Sequence, residues 1–122
     1  MIGIGVDLCS ISKIEKCITQ NPRFLQKYYS PSEQRYLEHK NQSKFQSAAA
    51  MFAAKEAFLK AFGLGIGELS FAEISLEHEP SGRPYIQLSG KAKNHFESHH
   101  AKSIHVALSH EGDMAVAILM VE

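Results

Sequence analysis

Phe45-Gln46-Ser47-Ala48-Ala49-Ala50-Met51-Phe52-Ala53-Ala54-Lys55-Glu56-Ala57-Phe58-Leu59-Lys60-Ala61-Phe62 is dense in strong helix formers and holds neither glycine nor proline, so it reads as the most secure helix of the chain. Gly63, Gly65 and Gly67 stop it. At about 100° per residue, Ala49, Phe52, Ala53, Glu56, Leu59, Lys60 and Gly63 fall within one broad stripe, while Met51, Phe58 and Phe62 lie opposite. The helix is largely apolar all round. It is therefore expected to be enclosed by the core on one side and by a second surface on the other, with Glu56 and Lys60 partly desolvated.

Upstream, Ile2, Ile4 and Val6 alternate with Gly3, Gly5 and Asp7, the period of a strand. The glycine face leaves room for a neighbouring element or ligand to approach the backbone, and the branched residues are expected to pack the opposite side. A short helix follows, with Ile11, Ile14 and Ile18 at helical spacing and Ser12 with Glu15 as its expected capping box. Ser30-Pro31-Ser32-Glu33 signals another helix start, running to about His39, and the polar run Lys40 to Lys44 breaks the pattern. Downstream, Ile74, Leu76 and His78 alternate, Pro80 to Pro84 carries turn residues, and Tyr85 to Ser89 alternates again, which predicts a hairpin. Gly90 to His100 has Ala92, His95, Phe96 and His99 at helical spacing. Ile104 to Ser109 and Met114 to Val121 flank His110-Glu111-Gly112-Asp113 as a second hairpin. This mixed order predicts an α+β fold, helices packed on a small antiparallel sheet, in one domain spanning residues 1–122.

Composition narrows the function. The chain has 122 residues, 44% of them apolar, and no apolar run approaches the roughly 20 residues that span a bilayer. Met1 to Leu8 carries no basic region and no small-residue cleavage site, so a cytoplasmic location is expected. Thirteen basic and thirteen acidic side chains leave no net field to draw nucleic acid. Cys9 and Cys17 form no CxxC pair and are expected to be reduced thiols. Of the seven histidines, none belongs to an HExxH, and His99-His100 lack spacing to a third ligand.

Glu56 and Lys60 stand one turn apart. Alone, they read as an i,i+4 ion pair worth a few tenths of a kcal/mol at an exposed site, about 0.3–0.5. Asp7 adds a second carboxylate on a strand whose glycine face a helix can cover, and two adjacent carboxylates repel unless a divalent cation joins them. Asp7 also suits a cap for the helix that follows it, and spacing does not choose between these roles. His110 continues the face of Ile104, Val106 and Leu108 and is a polar group at a strand end, either a satisfied core histidine or a ligand contact.

Gly3-Ile4-Gly5-Val6-Asp7 and Phe52-Ala53-Ala54-Lys55-Glu56-Ala57-Phe58-Leu59-Lys60-Ala61-Phe62-Gly63 resemble the two signature segments of the holo-acyl-carrier-protein synthases. The similarity continues through Gly65-Ile66-Gly67, Ser70-Phe71, Gly82-Arg83-Pro84-Tyr85 and Val106-Ala107-Leu108-Ser109-His110. The resemblance implies an enzyme that moves 4'-phosphopantetheine from coenzyme A to a serine of apo-acyl-carrier protein, releasing 3',5'-ADP, in fatty acid biosynthesis. It implies a homotrimer with coenzyme A in clefts between subunits, and the apolar strand Met114 to Val121 suits such a partner. It also implies Asp7 and Glu56 as Mg2+ ligands, Glu56 and Lys60 as catalytic residues, and Lys55, Lys60, Gly63, Arg83 and His110 as coenzyme A contacts. Lys13 occupies the place of an arginine that meets the acidic carrier protein.

Three positions depart from the family pattern. Met51 replaces a common arginine, so one expected phosphate contact is either missing or supplied by Lys44 or Lys55. Glu111 replaces a small hydroxyl residue, and Lys13 keeps arginine's charge without its bidentate fork. Met51 and Glu111 motivate the alternative of a non-catalytic carrier-protein-binding module on the same fold. A third reading, an unrelated nucleotide-binding enzyme using the opening glycines, leaves Glu56 and Lys60 merely structural.

Overall fold

The chain runs β1 (Gly3–Ser10), α1 (Ile11–Gln20), α2 (Phe24–Tyr28), α3 (Pro31–Glu38), α4 (Lys44–Ala61), a 3-10 turn (Phe71–Glu73), β2 (Ile74–His78), β3 (Pro84–Leu88), α5 (Gly90–Ser98), β4 (Ile104–Glu111) and β5 (Met114–Val121) in a computed structural model that describes residues 1–122. Antiparallel pairing builds a three-stranded sheet in the order β1-β5-β4 and a separate two-stranded sheet, β2-β3. The expected single sheet is therefore two. In the larger one, Gly3 pairs with Val121 and Ser10 with Met114, while Ile104 pairs with Val121 and Glu111 with Met114.

The opening glycines set how closely α4 lies on this sheet. A Cβ at Gly3 would stand 1.8 Å from the carbonyl oxygen of Ala61, and one at Gly5 1.9 Å from that of Ala57. Backbone meets backbone there, so only glycine fits. The other side of the seam is Ala115, Ala117, Leu119 and Val121 of β5, all fully buried. Helix α4 is enclosed on most of its circumference, as its all-round apolar character predicts: Ala48, Met51, Ala54, Phe58 and Leu59 are buried along with the sheet-facing alanines. Gly63, at φ 71°, ends it, its N–H donating to the Lys60 carbonyl. No helix is long and apolar enough to cross a membrane.

Several expectations need correction. The cap of α1 is Ser10, whose hydroxyl accepts from the Lys13 N–H, and not Ser12 with Glu15. Strand pairing with β5 carries β1 through to Ser10, so Asp7 lies within the strand and does not cap α1. The branched face of β1 is not packed within the chain: Ile4, Val6 and Leu8 are 54%, 53% and 62% exposed, and Ile2, Met114 and Ile118 share their exposure. The Ser30 capping box of α3 forms as expected, Ser30 Oγ accepting from the Glu33 N–H and Glu33 Oε1 from the Ser30 N–H.

Lys55 is fully buried. Its ammonium donates to Glu33 Oε1 at 2.6 Å, to the Phe71 carbonyl at 3.0 Å and to the Ile74 carbonyl at 2.6 Å, while Glu33 Oε2 accepts from the Leu76 N–H at 2.8 Å. This node ties α3 and α4 to β2. Every donor of the ammonium is taken by protein, so the expectation that Lys55 contacts coenzyme A is withdrawn. Met51, only 1% exposed, packs in the core, and the ammonium of Lys44 lies 5.8 Å from the Phe45 ring.

Candidate active site

Side chains on a strand alternate, so the face that presents Gly3 and Gly5 to α4 presents Asp7 to it as well. Asp7 is 9% exposed, and its Oδ1 accepts a hydrogen bond from the Lys60 ammonium at 2.8 Å. Lys60 also donates to the Val6 carbonyl at 3.3 Å, and its side chain remains 54% exposed. Glu56, one turn earlier on α4, meets the same aspartate. The fold thus brings together Asp7, Glu56 and Lys60.

The electrostatics of this corner are unbalanced. Burial, followed by the charge and hydrogen-bonding contact of Asp7, pushes the Glu56 carboxyl up to about 7, with Lys60 acting the other way. The bond to Asp7 raises the Lys60 ammonium. Two carboxylates facing one ammonium leave an excess negative charge in a half-buried place. Cys9 shares this face of β1, and burial first, then Asp7 and Glu56, push its thiol up to about 12. A thiol so held is no nucleophile.

The carboxylate pair fits a hard divalent cation. Magnesium takes one or two carboxylates and fills its remaining positions with waters and phosphate oxygens. No group of three or more His, Cys, Asp or Glu side chains gathers anywhere in the chain to form an all-protein cage. Asp7 and Glu56 would supply the one or two carboxylates that magnesium takes, and a cation there would offset both the burial and the Asp7 charge that raise Glu56.

His110 lies apart from this corner. It pairs with Ala115 near the end of β4, on the sheet face that looks toward α4, and is exposed. It lines a cavity of about 160 Å³ with Gln46, Ser47, His78 and Ser109, and no carboxylate lines that cavity. β4 and β1 are the outer strands on either side of β5, roughly 10 Å apart. Ser47 and Lys60 stand near opposite ends of α4, about 20 Å apart along its axis. One chain therefore presents two separate polar clusters, one of carboxylates and lysine, one of neutral donors and imidazoles.

The remaining expected residues are dispersed. Gly63 is exposed just beyond Lys60, with no atom within 4 Å of a Cβ placed there, so a ligand can reach its backbone. Arg83 is exposed in the turn between β2 and β3, and Lys13 is exposed on the first turn of α1. His78 escapes sequence reading as a site residue. It ends the alternation of β2, and only the tertiary fold sets it in the cavity of His110, stacked on Tyr36 with ring centroids 4.4 Å apart.

Comparison with known proteins agrees with the fold. The holo-[acyl-carrier-protein] synthase of Ruminiclostridium cellulolyticum is 41% identical over 120 residues, covering 97% of this chain and 90% of the relative. The crystal structure of the holo-[acyl-carrier-protein] synthase of Neisseria meningitidis superposes with a TM-score of 0.90 at 30% identity, covering 100% of this chain and 99% of that one. That of Helicobacter pylori, in complex with coenzyme A, superposes with a TM-score of 0.83 at 36% identity, covering 98% and 99%. Residues 3–119 match one family along their whole length, and the chain belongs to the 4'-phosphopantetheinyl transferase superfamily.

Proposed function

We propose that the protein transfers the 4'-phosphopantetheine group of coenzyme A to a serine of apo-acyl-carrier protein, as a magnesium-dependent step of fatty acid biosynthesis in the cytoplasm. The observation that carries this reading is the convergence of Asp7, Glu56 and Lys60 on the glycine face of β1. The carrier serine oxygen attacks the phosphorus bearing the pantetheine arm, the bond from that phosphorus to the bridging oxygen breaks, and 3',5'-ADP leaves. Asp7 and Glu56 would hold magnesium, which would neutralise charge on the pyrophosphate and draw charge from the phosphorus. The exposed ammonium of Lys60 swings from Asp7 to the leaving phosphate and neutralises charge developing there. A carboxylate committed to a cation is a weak proton acceptor, so the serine proton passes to solvent. Gly63 and Arg83 offer a backbone and a guanidinium to coenzyme A, and Lys13 meets the acidic carrier.

We further propose that the protein works as a homotrimer. The exposed apolar face of β1 and β5 calls for a cover, and contiguous apolar patches of this kind mark interfaces. A second copy on that face supplies its His110 cavity to the carboxylate corner of the first, joining the two half-sites into one coenzyme A cleft. Incubation of the protein with apo-acyl-carrier protein, coenzyme A and magnesium, followed by intact mass, tests the activity. Gain of one phosphopantetheine per carrier, abolished by chelator, is expected; binding of the carrier with no mass gain would support the non-catalytic module.

A further inference from the structure

Asp113 stands in the turn between β4 and β5 and reaches to the point where β1 passes into α1. Its Oδ2 accepts from Ser10 Oγ and from Ser12 Oγ, both at 2.7 Å, and its Oδ1 from the Ser12 N–H at 2.9 Å. Its carbonyl accepts from the Ile11 N–H at 2.7 Å. Ser10 Oγ in turn accepts from the N–H of Lys13, at 3.2 Å. A continuous chain of bonds therefore runs from Asp113 through Ser10 to the backbone of Lys13. Helix α1 has no acidic residue in its own first turn, and Asp113 supplies the negative charge that a helix N-terminus favours. Those hydroxyl bonds, joined by the charge of Lys13, hold the Asp113 carboxyl below the usual carboxylate range.

The hairpin turn does not need this side chain, since Gly112 at φ 56° makes the reversal. Asp113 is exposed, so water satisfies Ser10 and Ser12 when it is removed, and no buried group is orphaned. What its removal frees is the direction of the first turn of α1, which begins four residues beyond Asp7 and bears Lys13. We propose that Asp113 is a positioning residue for carrier recognition: it fixes Lys13 relative to Asp7, so that an acidic carrier docked on α1 presents its serine to the carboxylate pair. This inference rests on the transferase reading above.

The test compares wild type, Asp113→Ala, Asp113→Asn and Ser12→Ala by transfer kinetics and, without turnover, by calorimetric titration with apo-acyl-carrier protein. Asp113→Ala is expected to raise the carrier KM and Kd about fivefold to tenfold while kcat and the coenzyme A KM stay within about twofold. Asp113→Asn keeps an acceptor for the Ser12 N–H and should recover most of that loss. Ser12→Ala, which deletes one hydroxyl, should raise the carrier KM and Kd about twofold to threefold and serves should Asp113→Ala not fold. Unchanged carrier KM and Kd, or equal changes in both substrates' KM, overturn the inference. Wild type that binds carrier but transfers nothing sinks the transferase reading, and the Kd comparison still decides the role of Asp113.

Discussion

Replacing Gly5 by alanine tests the seam that places the active corner. A Cβ at this position would lie 1.9 Å from the Ala57 oxygen, 2.8 Å from the Ala57 carbonyl carbon and 2.9 Å from the Ala61 nitrogen. All three are backbone atoms of α4, so no side-chain rotation relieves the clash. Restoring ordinary contact at about 3.4 Å requires strand and helix to part by roughly 1.5 Å. Forcing one methyl group into a packed seam costs about 1–3 kcal/mol, and a contact with rigid backbone belongs at the upper end, near 3 kcal/mol. Asp7 follows on the same face and moves with the strand, stretching its 2.8 Å bond to Lys60 and its contact with Glu56. A misplacement of about 1 Å in a reacting constellation costs on the order of a hundredfold in rate. Urea denaturation reads the first effect, and the rate of carrier mass gain reads the second. Gly67→Ala is the stability control: nothing lies within 4 Å of its added methyl group, and only its φ of 98° opposes the change, at about 1–2 kcal/mol. Wild-type stability and rate in Gly5→Ala would refute the claim that backbone contact positions Asp7.

Lys55→Met should lower unfolding free energy by about 3–5 kcal/mol, because it strands the Glu33 carboxylate in the core. Retained stability with weakened coenzyme A affinity would instead return Lys55 to the ligand site. Ile118→Glu, on the exposed apolar face, should give a monomer by light scattering and lose transfer activity, since the half-sites no longer meet; an active monomer contradicts the shared cleft. Burial first, then Lys40, lowers the His78 pKa below its usual value of about 6.5. The unfolded chain then takes up this proton before the folded one, so the stability His78 contributes is complete above about pH 6.5 and is lost as pH falls below it. Urea midpoints should accordingly fall less between pH 7.5 and pH 5.5 (roughly the window around that value) in His78→Gln than in wild type, and parallel curves would contradict the assignment.

The parts of the fold legible in the sequence are those set by local chemistry. Alternation gave β1 its two faces, alanine density gave α4, and Ser30 with Glu33 closed the capping box that their spacing predicts. The short α2 escaped because five residues after Pro22 carry too little periodicity to register. Its helix is held by tertiary contact, Phe24 stacking on Phe52 and Tyr28 meeting Phe52 and Phe71 edge-on. Ser12 with Glu15 satisfied the capping pattern, yet Ser10 took the role because strand pairing ends there and Asp113 holds the turn.

The candidate site divides in the same way. A glycine-faced strand and an apolar helix with two charges allow Asp7, Glu56 and Lys60 to meet but leave Asp7 equally suited to a cap, and it was the resemblance of their two segments to a known family that singled them out as a set. Lys55 was misread because its partner is Glu33 on another helix, and one step of about 100° along α4 already turns it away from the face of Glu56. His110 was placed on the correct face of its strand, but its separation from the carboxylates depends on the strand order β1-β5-β4, which no local pattern encodes.

The central claim is that Glu56 serves as a cation-holding carboxylate of the transfer site. Its most direct test is the initial rate of carrier mass gain for Glu56→Gln against wild type at saturating coenzyme A and magnesium, with urea denaturation of both. The account predicts a rate reduced at least a hundredfold, about the 3 kcal/mol lost with a charged ligand, at unchanged or slightly increased stability because a repelling charge is gone. A folded Glu56→Gln protein that charges the carrier at nearly the wild-type rate would contradict it.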